Sequence, residues 1–131
     1  MLTRKTLHRA RLAVAVLFWP SLALVIWASL IVFSVPPFDF GISFQDLIEH
    51  FIAYGGLAGM AAMSLHSRRA TIWAVMCLIA LGAILEVLQA YTGRDRELLD
   101  AVANSIGALC GGISGRTIVE PLYRRYGLKS V

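Results

Sequence analysis

The sequence predicts an all-α fold, an integral membrane four-helix bundle with N- and C-termini cytoplasmic, from three observations. The 131-residue chain is 58% hydrophobic and only 15% charged, with a mean hydropathy of +0.71; soluble domains run to about 45–50% apolar and about 25% charged residues. The apolar residues are collected into four runs, at about 12–33, 44–65, 70–91 and 98–119. Each run is near the ~20 residues a helix needs to cross a ~30 Å hydrocarbon core. Short polar turns separate them. A soluble domain of this length has too little interior to hide so much apolar surface, and a disordered chain needs the opposite composition. Cys77 and Cys110 both fall inside apolar runs and make no disulfide framework. The length allows a single domain, 1–131.

The first run, 12–33, is interrupted only by Pro20, Ser21 and Ser29. Arg4, Lys5, Arg9 and Arg11 precede it, as in a signal peptide, but a signal core spans only about 7–15 residues. An uncleaved first helix is therefore expected, kinked at Pro20. Residues 34–45, with Pro36, Pro37, Asp39 and Gly41, read as a loop. The second run opens on Asp46, Glu49 and His50 and is otherwise apolar or small. His66, Ser67, Arg68 and Arg69 form a basic turn. The third run stays apolar until Glu86 and Gln89. Residues 92–97 form a charged turn, and the fourth run follows. The tail holds Pro121, Arg124, Arg125 and Lys129, with Tyr123 and Tyr126 expected as membrane-interface aromatics.

Lys and Arg counts set the orientation. Four helices place the N-terminus, the 66–69 turn and the tail on one side, with ten of the twelve basic residues. That side is expected to be cytoplasmic, in a bacterial inner membrane. Seven of the eight acidic residues fall toward the other side, and only Glu120 does not. The net charge of +4 thus reads as an orientation signal, and no nucleic-acid partner is expected.

Polar groups converge where three helix ends meet on the outer side. Asp46 and His50 are four apart and share a helical face that Tyr54 continues one turn deeper. Glu86 and Gln89 are three apart, and Asp100 and Asn104 are four apart. His50, Glu86 and Asn104 are expected roughly 6–10 Å below the outer surface. Ionisable groups at that depth face a bundle interior and pair with one another. The candidate binding residues are therefore Asp46, His50, Tyr54, Glu86, Gln89, Arg94, Asp100 and Asn104, with His50 and Glu86 as candidate acid/base groups. Asp39, Asp95, Arg96 and Glu97 read as headgroup contacts. The set offers hard oxygen ligands and one imidazole, but no HExxH or clustered cysteines, so neither a metal nor a cofactor is expected. Gly55 and Gly59, and Gly107, Gly111 and Gly115, recur every fourth residue and are expected to pack helices within the chain. No phosphate-binding loop is present.

The polar pattern resembles the VanZ-like membrane protein family. Residues 46–54, Asp-Leu-Ile-Glu-His-Phe-Ile-Ala-Tyr, resemble that family's DKxxHFxAY-type opening. Glu86-Val87-Leu88-Gln89 resembles its ExxQ, and Gly93-Arg94, Asp100, Ala103-Asn104 and Gly107 resemble its closing motif. The likeness covers about 45–112, with one departure: Leu47 stands where the family's Lys is usual. The resemblance implies a protein of the bacterial cell envelope. The family's named member is associated with low-level teicoplanin resistance, and no agreed mechanism or cofactor accompanies it. Two functions follow as expectations. The first is binding or shielding of an envelope lipid, glycan or glycopeptide. The second is a small membrane enzyme using His50 and Glu86. A transporter ranks third, because no internal repeat is visible.

The orientation is testable. A reporter active only in the cytoplasm, fused after Val131, is expected to be active; an inactive fusion whose periplasmic counterpart is active reverses the topology.

Overall fold

The computed structural model describes residues 3–31, 44–92 and 98–126, which form four helices in chain order: α1 (Arg4–Leu30), α2 (Gln45–Ser64), α3 (Arg68–Thr92) and α4 (Leu98–Arg125). The loop around Pro36 to Gly41 and the turn carrying Arg94, Asp95, Arg96 and Glu97 lie outside the described residues. Three helices, α1, α3 and α4, are long and apolar enough to cross a membrane. The sequence reading assigned a span to α2 as well. Asp46, Glu49 and His50 at its start, and its many Gly and Ala residues, keep it below that apolarity.

Two helices extend beyond their apolar runs. α1 starts at Arg4, where the Thr3 side chain accepts a hydrogen bond from the Thr6 amide at 3.1 Å, an ordinary N-cap. Its basic first turns stay helical and bury Leu7 against Val119 and Tyr123. α4 continues past Pro121 to Arg125. Counting apolar residues finds the stretch suited to lipid, whereas helix length is set by backbone bonds and packing. Tyr123, expected at the membrane interface, is 1% exposed, and its hydroxyl donates to the Met63 carbonyl at 2.5 Å.

α2 and α4 are the closest pair. Their backbones meet in register at a constant offset, Phe51 with Gly107, Gly55 with Gly111 and Gly59 with Gly115, so the two helices run parallel. A Cβ at Gly111 would lie 1.9 Å from the Gly55 carbonyl oxygen, and one at Gly107 2.3 Å from the Phe51 oxygen. Helix backbones touch there, as small residues at fourfold spacing allow. α3 lies against both: the core joins Tyr54, Leu57 and Ala58 of α2 to Val75 and Leu78 of α3 and Ala108 of α4, and Phe18, Leu22 and Val25 of α1 cover it. Trp19, Trp27, Trp73 and Ile113 are among many large apolar side chains left exposed, far more than a monomeric soluble surface presents.

At the end where α2 terminates, its last carbonyls are taken up by side chains from α1 and α4. Arg11 donates to the Ser64 oxygen at 3.0 and 2.7 Å, and Arg116 to the Leu65 and His66 oxygens at 3.2 and 3.1 Å. A helix C-terminus leaves such carbonyls unsatisfied and carries partial negative charge, so cations suit it doubly. Arg11 also contacts the His66 ring. Desolvation where the ring meets its neighbours, together with the positive charges of Arg11 and His8, holds His66 below its ordinary pKa. Glu120 accepts from Arg68 at 2.7 Å and Arg124 at 3.2 Å and lies 3.9 Å from Arg116.

Gly111→Ala is expected to lower stability by at least about 1–3 kcal/mol, because backbone cannot yield as a side chain can. Gly56→Ala, with nothing within 4 Å of the added methyl, is expected to leave the melting temperature unchanged or raise it. Thermal unfolding of both variants in one detergent checks this.

Candidate functional site

The first turns of α2 and α4 and the last turns of α3 meet at the end of the bundle away from the arginine cluster. The parallel α2–α4 contact puts His50 beside the side chains that α4 presents at Asp100 and Asn104. His50 Nδ1 lies 3.0 Å from Asn104 Oδ1, and His50 Nε2 lies 3.5 Å from Asp100 Oδ2. From α3, Glu86 joins them: the nearest ligand-type atoms of His50, Glu86 and Asp100 all lie within 4.8 Å of one another. Glu86, Asp100 and Asn104 are buried, and the His50 side chain is 12% exposed. The sequence reading paired His50 with Glu86; the direct contacts of His50 run to Asp100 and Asn104.

An amide oxygen can only accept, so the His50 Nδ1 carries the hydrogen and donates to Asn104 Oδ1. In the neutral ring that leaves a lone pair on Nε2, turned toward the Asp100 carboxylate. The imidazole is thus oriented by one neighbour and exposed to a carboxylate on its other side.

Tyr54 stands one turn deeper on α2 and is 1% exposed. Its ring and the Asn104 amide both border Gly82: a Cβ there would lie 3.2 Å from Tyr54 Cε1 and from Asn104 Nδ2. Glycine at position 82 is what admits the two side chains. The Tyr54 hydroxyl has no hydrogen-bond partner among the described residues and lies within electrostatic reach of Glu86. Gln89 is buried and its amide donates to the Ser29 carbonyl of α1 at 2.9 Å, tying α1 to α3 beside the cluster. Asp46 is exposed in the first turn of α2, with no hydrogen bond or ion pair among the described residues. Arg94 lies outside the described residues.

One cavity flanks these groups, and another lies far from them. A small one of about 160 Å³ opens between α1 and α2 and is lined by Ser29, Glu49, His50 and Tyr54 among others. In the sequence Glu49 reads as an acidic neighbour of the site, and Ser29 is not among the candidates. Glu49 carried a signal in its place one residue before His50; Ser29 had none, because it contributes a backbone carbonyl to Gln89. The larger cleft, about 670 Å³, lies between α3 and α4 at the opposite end, with walls of Ile72, Val75, Leu109 and Ile113 and a rim of Arg68, Arg116 and Glu120. It is a side-opening apolar furrow, remote from the polar cluster.

Compared with known proteins, the chain matches no family model, and no curated protein and no solved structure is significantly similar to it.

Asn104→Ala strips His50 Nδ1 of its acceptor and is expected to cost about 1–3 kcal/mol. Tyr54→Phe loses no hydrogen bond within the described chain and is expected to stay within about 1 kcal/mol of wild type. Denaturant titrations of the two purified variants distinguish these outcomes.

Proposed function

We propose that the chain is a multi-pass protein of the bacterial inner membrane, of VanZ-like type. Its outward-facing polar cluster binds the polar part of an envelope lipid, glycan or glycopeptide. The observation that carries this reading is the meeting of His50, Glu86, Asp100 and Asn104, from three helices, in a buried site next to a cavity. Ionisable groups held inside an otherwise apolar bundle are costly, and in membrane proteins they mark ligand or ion sites.

The four-span topology rests on further support. α2 falls short of a lipid-facing span in apolarity, but Leu57, Ala58, Ala61 and Ala62 are buried between its neighbours. A helix shielded in this way needs less apolarity than one facing lipid on all sides. Basic residues of the N-terminus, the 66–69 turn and the α4 end gather at one pole through Arg11, Arg68, Arg116 and Arg124. The pole holding ten of twelve basic residues is assigned to the cytoplasm. A link to teicoplanin-type resistance rests on the motif likeness at 46–54, 86–89 and 93–107 alone.

A second reading has its own observation. An imidazole held by an amide oxygen on one side and facing a carboxylate on the other is arranged as a general base, which suits a small membrane enzyme acting on an envelope lipid or glycan. Here His50 would take the proton, and Glu86 would be the acid.

Lipids and glycolipids co-purifying with the chain and identified by mass spectrometry test the binding reading. One headgroup class is expected to be enriched with wild type, retained by Glu86→Gln, whose hydrogen-bonding shape survives, and lost with Glu86→Ala. Equal lipid profiles for wild type and Glu86→Ala, with both folded, reject it. Turnover of the enriched lipid that Glu86→Gln abolishes establishes the enzymatic reading.

A further inference from the structure

We propose that His50, Glu86 and Asp100 bind a divalent transition ion of the Zn²⁺ or Mn²⁺ class, held by His50 Nε2 and one oxygen from each carboxylate. The proposal rests on the same outward-facing cluster as the function above and names its ligand. It is carried by geometry: one ligand atom each of His50, Glu86 and Asp100 lies within 4.8 Å of the others. The ring donates Nδ1–H to Asn104 Oδ1 at 3.0 Å and turns Nε2 toward Asp100 Oδ2, 3.5 Å away. A metal-bound histidine is arranged in this way: one nitrogen is anchored by an outer-shell oxygen, which fixes the tautomer, and the other is left for the ion.

His50 Nε2 and Asp100 Oδ2 stand 3.5 Å apart, longer than a charge-assisted N–H···O bond at about 2.7–2.9 Å. Two ligands at about 2.0–2.2 Å from a tetrahedral ion are separated by about 3.4 Å. The contact has the length of a coordination edge. The third ligand is in place, because a Glu86 oxygen falls inside the same 4.8 Å envelope. Tyr54 is the independent observation. Its hydroxyl, on a side chain 1% exposed, has no hydrogen-bond partner among the described residues, and its ring borders Gly82, as Asn104 does, within electrostatic reach of Glu86. An ion-bound water, a strong donor, gives that hydroxyl oxygen a hydrogen bond to accept.

The ligand types select the ion. One imidazole with two carboxylates suits Zn²⁺ and Mn²⁺, whereas Ca²⁺ and Mg²⁺ sites are built from oxygen alone. No cysteine approaches the cluster among the described residues, which removes the thiolate preference for softer ions: Cys77 and Cys110 are both exposed on the bundle surface. The two carboxylates carry the charge that offsets a divalent ion, as a low-dielectric interior favours.

The test uses the untagged full chain in detergent, stripped with a chelator, loaded with Zn²⁺ or Mn²⁺, desalted and assayed for metal by plasma mass spectrometry. A single retained ion per chain is expected, with a melting temperature that rises saturably with Zn²⁺ or Mn²⁺ and does not respond to equal Mg²⁺. Asp100→Asn and His50→Gln are expected to lose the ion. Asn104→Ala, which frees the His50 ring without removing a ligand, is expected to weaken binding about ten- to a hundred-fold, and His8→Gln to keep it. Wild-type chain that retains no metal above the detergent blank, or an equal response to Mg²⁺, overturns the proposal even if every cluster variant misfolds. Retention by folded Asp100→Asn overturns it too. The lipid profile taken in chelator is read separately: a headgroup that stays enriched without metal keeps the binding function and removes only the ion, whereas a bound ion with no enriched headgroup does the reverse.

Discussion

The backbone contact between α2 and α4 is the constraint on which the other features depend. At Gly55–Gly111 the two chains are too close for even one methyl group. That approach fixes both the separation and the register of two parallel helices. From this single register follow His50 beside Asn104 and Asp100 at one end, and Tyr123 and Arg116 on the terminal carbonyls of α2 at the other. A larger residue in the stripe would separate the helices along their whole length and disturb both ends together. In lipid, where apolar side chains gain little by leaving one apolar medium for another, close packing of this kind supplies much of the association between helices.

The two poles put their charges to different uses. At the basic pole, arginines meet backbone carbonyls and Glu120, so each buried or half-buried charge has a partner of opposite sign or dipole. The arrangement closes α2 and holds α1 and α4 to it. At the other pole, like-signed carboxylates from α3 and α4 are brought near one imidazole and a tyrosine hydroxyl. Such a grouping adds little to the bundle's cohesion, and a neutral hydrophobic set of equal volume would pack at least as well. Its chemistry, rather than its packing, distinguishes it from the rest of the interior.

Much of the fold is legible in the sequence because the solvent imposes it. Four apolar runs separated by polar turns translate directly into four helices, and the glycine spacing points to close contact. Helix ends were less legible: the basic turns at Arg4–Arg11 and the stretch past Pro121 are helical for reasons of capping and packing that apolar counting does not register. Within the candidate site, fourfold spacing was enough to bring His50, Glu86, Asp100 and Asn104 to one pole. It was not enough to choose partners. Asp46 shares the His50 face yet lies a turn too far out, and Gln89 reaches α1.

By itself the sequence determined the apolar character of the helices, their number, the asymmetry of charge and the identity of the polar residues near one pole, because each is a matter of composition and period along a single chain. Only the tertiary structure decided that α2 and α4 are the touching pair and that His50 faces Asp100 rather than Glu86. It also decided that Tyr123 caps α2 instead of resting at an interface. These depend on the rotation and axial register of one helix against another. A helical period leaves both undetermined until backbones meet, and here they are set by an approach of Gly55 and Gly111 too close to admit a methyl group.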